Sequence, residues 1–167
     1  MKYLLTLFLL FFVNIGWCIK VTSTTSSPVN LLKNKTATFE LWDSTPTSTN
    51  LTDENFTNYE VGIGTVTTGT DTDIGNIIYD LGATYNNIIL TLSFYVVSST
   101  GETGYKIFTS PNGTDWTDSS SNFDTYTNVC YLLPISTRYI KLDFNMTTTG
   151  IGMTTIRLYE VTATQYK

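Results

Sequence analysis

Five asparagines of this chain stand two residues ahead of a threonine: Asn34, Asn50, Asn55, Asn112 and Asn145. Asn-x-Thr is the acceptor pattern for N-linked glycosylation, a chemistry done to an exported protein rather than by it. Residues that would let the chain do chemistry of its own are scarce. It contains no histidine, which removes Ser-His-Asp and Cys-His catalysis and every His-ligated metal. Two carboxylates flanking a glycosidic bond could hydrolyse it, but the 14 acidic residues in 167 single out no such pair. Gly62-x-Gly64 followed by Gly69 lacks the lysine and the helix of a phosphate-binding loop. The sequence reads as non-enzymatic.

The first residues place the chain outside the cytoplasm. Lys2 precedes an apolar run over 3–13, and small residues follow at Gly16 and Cys18. This is the pattern of a secretory signal peptide over 1–18, with cleavage after Cys18 and a mature chain starting at Ile19. The run falls short of the roughly 20 apolar residues needed to span a bilayer. The expected location is secreted, at an extracellular or virion surface. Removing 1–18 leaves eight basic residues against 14 acidic ones, a net charge of −6. A chain so charged, without a basic cluster, suits neither nucleic acid nor anionic lipid. Cys130 then remains without a partner. It sits in the apolar string Val129-Cys130-Tyr131-Leu132-Leu133 and is expected to be a buried, inert thiol.

Residues 19–35 are polar and rich in Thr and Ser, and read as a spacer. From 36 to 164 the pattern is all-β. Thr, Tyr, Val and Ile suit a pleated, half-buried surface, and no stretch past the N-terminus has helical periodicity. Strands are expected near 36–41, 59–63, 77–81, 88–97, 104–109, 126–133, 139–145 and 155–164. The turns between them carry Gly82, Gly101, Asn112-Gly113 and Gly150. Region 42–75 otherwise reads as a long loop, of the kind that is functional or ordered by something bound. Regular short strands without helices make an antiparallel sandwich or barrel.

Four strings narrow the choice: NIIYDLG at 76–82, YKIFTSPNGTDW at 105–116, RYIKLDF at 138–144 and IRLYEVTA at 156–163. Their order and content resemble the discoidin family, also called the coagulation-factor type C domain. A loop resembling the family's L-x-D-G-x-x-T precedes them at Leu51–Thr57, with Glu54 where glycine is usual. The resemblance covers about 36–164. It implies an eight-stranded antiparallel jelly-roll sandwich of the galactose-binding-like type. Within it, Tyr105, Ile107, Trp116, Ile140 and Leu142 are expected in the core, and Gly113 is expected at positive φ in a tight turn.

The resemblance also implies a function by class: a secreted recognition module binding cell-surface or matrix glycans through its loop tips. Trp42, Tyr59, Phe123 and Tyr126 have polar, turn-like neighbours and are the candidate aromatic platforms for a sugar face. Family members often hold a structural Ca²⁺ between the L-x-D-G-x-x-T loop and the last strand. The matching positions are Asp53, Thr57 and Glu160, which offer the oxygen donors that calcium takes. The alternative reading is a structural glycoprotein of a cell or virion surface, used for assembly.

Overall fold

A computed structural model of the chain describes residues 29–43, 50–55, 57–67, 69–119, 128–133 and 136–165. Among these, nine strands form two antiparallel sheets. They are β1 (Thr38–Glu40), β2 (Glu60–Val66), β3 (Gly69–Tyr85), β4 (Ile88–Ser99), β5 (Glu102–Ser110), β6 (Thr117–Asp118), β7 (Asn128–Leu133), β8 (Thr137–Thr148) and β9 (Gly152–Gln165). One sheet has the order β1-β3-β8-β5-β6 and the other β2-β9-β4-β7. The ninth strand, β6, is a two-residue edge piece that the sequence pattern is too short to reveal.

Period-2 alternation decides which side chains face inward. On β8, Ile140, Leu142, Phe144 and Met146 are buried, and on β5 so are Tyr105 and Ile107. From the other sheet come Leu90, Leu92, Phe94, Ile156 and Leu158. Phe94 meets Tyr105 and Phe144 edge-on, with centroids 5.0 and 5.4 Å apart, the geometry that ring quadrupoles favour. The Tyr105 and Tyr131 hydroxyls share a hydrogen bond at 3.1 Å.

Two tryptophans exchange the roles expected of them. Trp42, a candidate loop-tip platform, is core: it is 7% exposed, its ring lies 5.5 Å from Phe144, and its Nε1 donates to the Asn76 carbonyl at 3.1 Å. The indole lies over Gly62 and Gly75, where any Cβ would overlap it. Trp116, expected in the core, is only half-buried. The turn at 111–116 hands the chain to β6 at the sheet edge, so the ring falls on the outer face. Lys141 Nζ lies there, 5.5 Å from the Trp116 ring and 4.5 Å from the Phe108 ring.

Three further expectations are corrected. β3 begins at Gly69, so much of the expected long loop is strand. Residues 30–35 are packed into the domain rather than acting as spacer. Asn30 bridges Thr164, the Leu31 N–H donates to the Ala163 carbonyl at 2.7 Å, and Leu32 is fully buried. Cys130 is exposed, because β7 turns it to the outer face opposite Thr91, and it is disulfide-bonded rather than a free thiol. Residues 1–28, with the expected signal peptide and its cleavage after Cys18, lie outside the described residues.

The inverted tryptophans give a direct test. Trp42→Ala is expected to cost about 3–5 kcal/mol of unfolding free energy, as deleting a buried ring does, and Trp116→Ala clearly less. Equal losses in urea titrations would contradict the packing.

Candidate functional site

Three of the four strings that carry the family resemblance, on β3, β5 and β8, meet at one end of the five-stranded sheet. Asp80 accepts two hydrogen bonds from Arg138, from Nε and Nη2, each at 3.0 Å. It also accepts the Gly82 N–H at 2.7 Å. These bonds hold the Asp80 carboxyl down at about 2, the Arg138 bond contributing most. The Arg138 guanidinium stacks 4.9 Å from the Tyr139 ring, and the turn glycine Gly113, at φ +81°, passes against the same ring. Both oxygens of the carboxylate have partners within the chain, which marks a structural clasp rather than a vacant site.

A second place is not satisfied. Glu160 lies where the register of β9 against β4 slips between Ser93 and Phe94. It is 1% exposed, and neither carboxylate oxygen accepts a hydrogen bond. Burial pushes its pKa up to about 7; the charges of Asp53 and Glu54 add to the rise, and the nearby backbone amides of Glu54 and Asn55 oppose it. Tyr79, fully buried, has an unpartnered hydroxyl and is raised by its own burial and by Glu160. A short 3₁₀ turn, Asn50–Thr52, carries the loop above Glu160 and packs on β9. Thr52 ties this loop to 34–35, its carbonyl accepting the Asn34 N–H and its hydroxyl donating to the Lys35 carbonyl, both at 2.9 Å.

The loop that carries Asp53 is thus near enough for its charge to act on Glu160. Glu54 adopts φ +65°, so the loop takes the left-handed turn that glycine takes most easily. An ion pair from Lys33 Nζ to Glu54 at 2.5 Å holds that side chain outward. Thr57 stands apart: it is exposed, and its hydroxyl donates to Asn55 Oδ1 at 2.6 Å. Among the described residues no three His, Cys, Asp or Glu converge, so a metal here would draw also on hydroxyl or carbonyl oxygens.

The third place is aromatic and lies on the outer face of the four-stranded sheet. Of the four platform candidates, Trp42 is core, and Phe123 and Tyr126 lie outside the described residues. Tyr59 is 42% exposed. Its ring meets Tyr159 at 5.5 Å, and the Arg157 guanidinium lies 4.7 Å above it. Arg157 is the cross-strand partner of both Val61 and Tyr95, and both are exposed. Arg157 has no carboxylate within ion-pair distance among the described residues. Tyr59 thus lies beside an exposed sheet face. Tyr95, Arg157 and Tyr159 escape the sequence reading, although alternation marks them: each sits between two inward residues of β4 or β9.

The glycosylation positions separate as well. Asn34 and Asn55 are exposed. Asn112 is exposed, but its Nδ2 donates to Asp115 at 2.7 Å and its Oδ1 organises the turn. Asn145 is 2% exposed with its amide nitrogen engaged, a placement that leaves no room for a glycan. The side chain of Asn50 lies outside the described residues.

No protein-family model and no curated protein matches the sequence. Solved structures do match the fold. Chitosan-binding module 1 of a chitosanase/glucanase from Paenibacillus sp. IK-5 aligns with TM-score 0.55 and 18% identity, over 83% of this chain and 99% of that one. A Streptococcus pneumoniae fucose binding module gives 0.57 and 14%, over 86% and 100%. The lectin domain of lectinolysin, complexed with Lewis B antigen, gives 0.56 and 16%, over 83% and 98%. The chain has the galactose-binding-like β-sandwich of carbohydrate-binding modules, the fold expected from the discoidin resemblance.

Glu160 sets a pH dependence. Its folded pKa, about 7, lies above the ordinary 4.5, so the folded state holds this proton more tightly than the unfolded chain. The contribution is full below pH 4.5 and is lost as pH rises through about 7. In chelator, urea midpoints are expected to fall across that window, and Glu160→Gln to remove this fall. Identical pH profiles for the two proteins would contradict the burial.

Proposed function

We propose that the chain is an exported, non-catalytic module that recognises cell-surface or matrix glycans through the outer face of its four-stranded sheet. The observation that carries this reading is the surface of Tyr59, Tyr95, Tyr159 and Arg157. Tyrosine rings offer flat apolar area at small entropic cost and keep a hydroxyl for sugar oxygens. Arg157 supplies fixed donors that no carboxylate among the described residues occupies. The matched modules named for chitosan, fucose and Lewis B antigen support the ligand class. The absence of histidine supports a binding role over catalysis.

The second reading, a structural glycoprotein of a cell or virion surface used for assembly, draws on Leu132. It is 65% exposed on the edge strand β7, and an exposed apolar edge invites pairing with another chain. A glycan array decides between them. Binding that disappears in Tyr59→Ala and Tyr95→Ala, with melting unchanged, is expected. Silence on the array together with concentration-dependent oligomers would favour assembly.

We also propose that Asp53, Thr57 and Glu160 hold a structural Ca²⁺. Support comes from the buried Glu160 carboxylate without a hydrogen bond, and from the left-handed Glu54 that folds the loop over it. Thr57 would exchange its bond to Asn55 for the ion. A ligand of the folded state alone stabilises it by about 2.7 kcal/mol at a hundredfold excess over Kd. Chelation is expected to lower the melting temperature, and Asp53→Ala to abolish that response. Equal melting in chelator and in millimolar calcium would leave Asp53 as a turn residue.

A further inference from the structure

Two cross-strand pairs gather four oxygen-bearing side chains on the outer face of the five-stranded sheet. Asp73 on β3 is the partner of Asn145 on β8, and Asn76 is the partner of Asp143. A register shift between Asp73 and Gly75 adds one residue, which keeps Asp73 and Asn76 on the same face although they are three apart. Asp143, Asn145 and Asn76 are 4%, 2% and 6% exposed, and Asp73 forms the open rim.

The group shares one face and is poorly satisfied. Asn145 Nδ2 donates to Asp73 Oδ1 at 2.7 Å and to Asp143 Oδ1 at 3.2 Å. The two carboxyl groups also approach each other: burial first, then the charge of Asp73, raises Asp143 to about 6. Lys141 Nζ, 3.5 Å from Asp143 Oδ2, offsets one charge. Around the group, Glu40 on β1 is the partner of Asn76, and Lys106 on β5 is the partner of Asp143. What remains is two buried amide oxygens, Asn76 Oδ1 and Asn145 Oδ1, that accept no hydrogen bond. Buried polar atoms are rarely left so, and no donor among the described residues reaches these two.

We propose that Asp73, Asn76, Asp143 and Asn145 bind a hard divalent cation of the calcium type, at a site separate from the Glu160 loop. Asn145 is the moving part. Its NH₂ now bridges the two carboxylates, in the place a cation would take. A half-turn of the amide, a small change for a terminal carboxamide, replaces NH₂ by Oδ1 and completes an oxygen set with Asn76. Calcium accepts roughly six to eight oxygens in loose geometry, whereas magnesium demands a near-ideal octahedron that ligands fixed on two strands do not supply. The open side at Asp73 admits the remaining waters.

The test uses the full chain, stripped by chelator, with Tb³⁺ as the probe. Trp42, bonded to the Asn76 carbonyl, and Trp116, beside Lys141, are near enough to sensitise its emission. Glu160→Gln first removes the loop site from the count. In that protein, saturable Tb³⁺ emission that Ca²⁺ competes away is expected, and adding Asp73→Asn should remove it. Asp73 is exposed, so folding is not at risk, and circular dichroism checks this. A folded Glu160→Gln protein with no saturable emission overturns the proposal. So does emission that survives Asp73→Asn with unchanged Ca²⁺ competition. Neither result bears on glycan binding, which is read separately on the array.

Discussion

The seat of Trp42 is the constraint on which this sandwich depends. The chain must leave β1 in one sheet and enter β2 in the other, and Trp42 lies at that crossing. Its indole touches Gly62 of β2, Gly75 of β3 and Phe144 of β8, so one ring joins both sheets. Two glycines without side chains make the space. A Cβ at Gly62 would stand 2.7 Å from the ring, and one at Gly75 closer still. The neighbouring Asp43 N–H donates to the Ile63 carbonyl at 2.9 Å, so the chain joins β2 directly after the ring. The burial of one large ring thereby fixes how the sheets stack, and with it which side chains of β8 and β9 face out.

Carboxylates show how the rest of the structure divides into framework and site. Asp80 has a bidentate arginine and a backbone amide, and its acidity is strengthened. Glu160 is more deeply buried and has no hydrogen bond, and its acidity is weakened. The first arrangement is complete within the chain. The second holds a group that burial penalises unless something charged compensates it. Asp80 therefore belongs to the fold, whereas Glu160 is a buried acid that the chain leaves uncompensated.

The legible parts of the sequence were those where inside and outside alternate without interruption. Tyr105 and Ile107, and Ile140, Leu142 and Phe144, show their face directly, and the positive φ of Gly113 follows from its turn. Bulges and crossings were not legible. The polar start of β3 at Gly69–Asp73 resembles a loop because it has no apolar residue and its register slips twice. Trp42 and Trp116 both stand among polar residues, and local composition cannot say which one crosses between sheets. The pair Gly62 and Gly75, far apart in sequence, was the sign that a ring needed room. Asn145 matched a glycosylation pattern that is purely local, while its burial comes from pairing with β3.

Once both inner faces are filled by the core, ligand chemistry must lie outside it, and the two outer faces differ in kind. The four-stranded sheet presents tyrosine rings and one arginine without a carboxylate partner among the described residues. The five-stranded sheet presents carboxylates and amide oxygens. A flat, polarisable surface with a fixed donor suits a sugar ring, and converging oxygens suit a hard ion. The sandwich places a full core between them, and sites so separated, without shared partners, act additively. Glu160 lies beside the first of these and reaches into the core. It belongs to β9, one residue from Tyr159 of the aromatic face, and its charge reaches Tyr79 in β3. A cation at Glu160 would therefore act on the aromatic face by setting the conformation of β9 at its bulge, and the oxygen cluster beyond the core would not share in that effect.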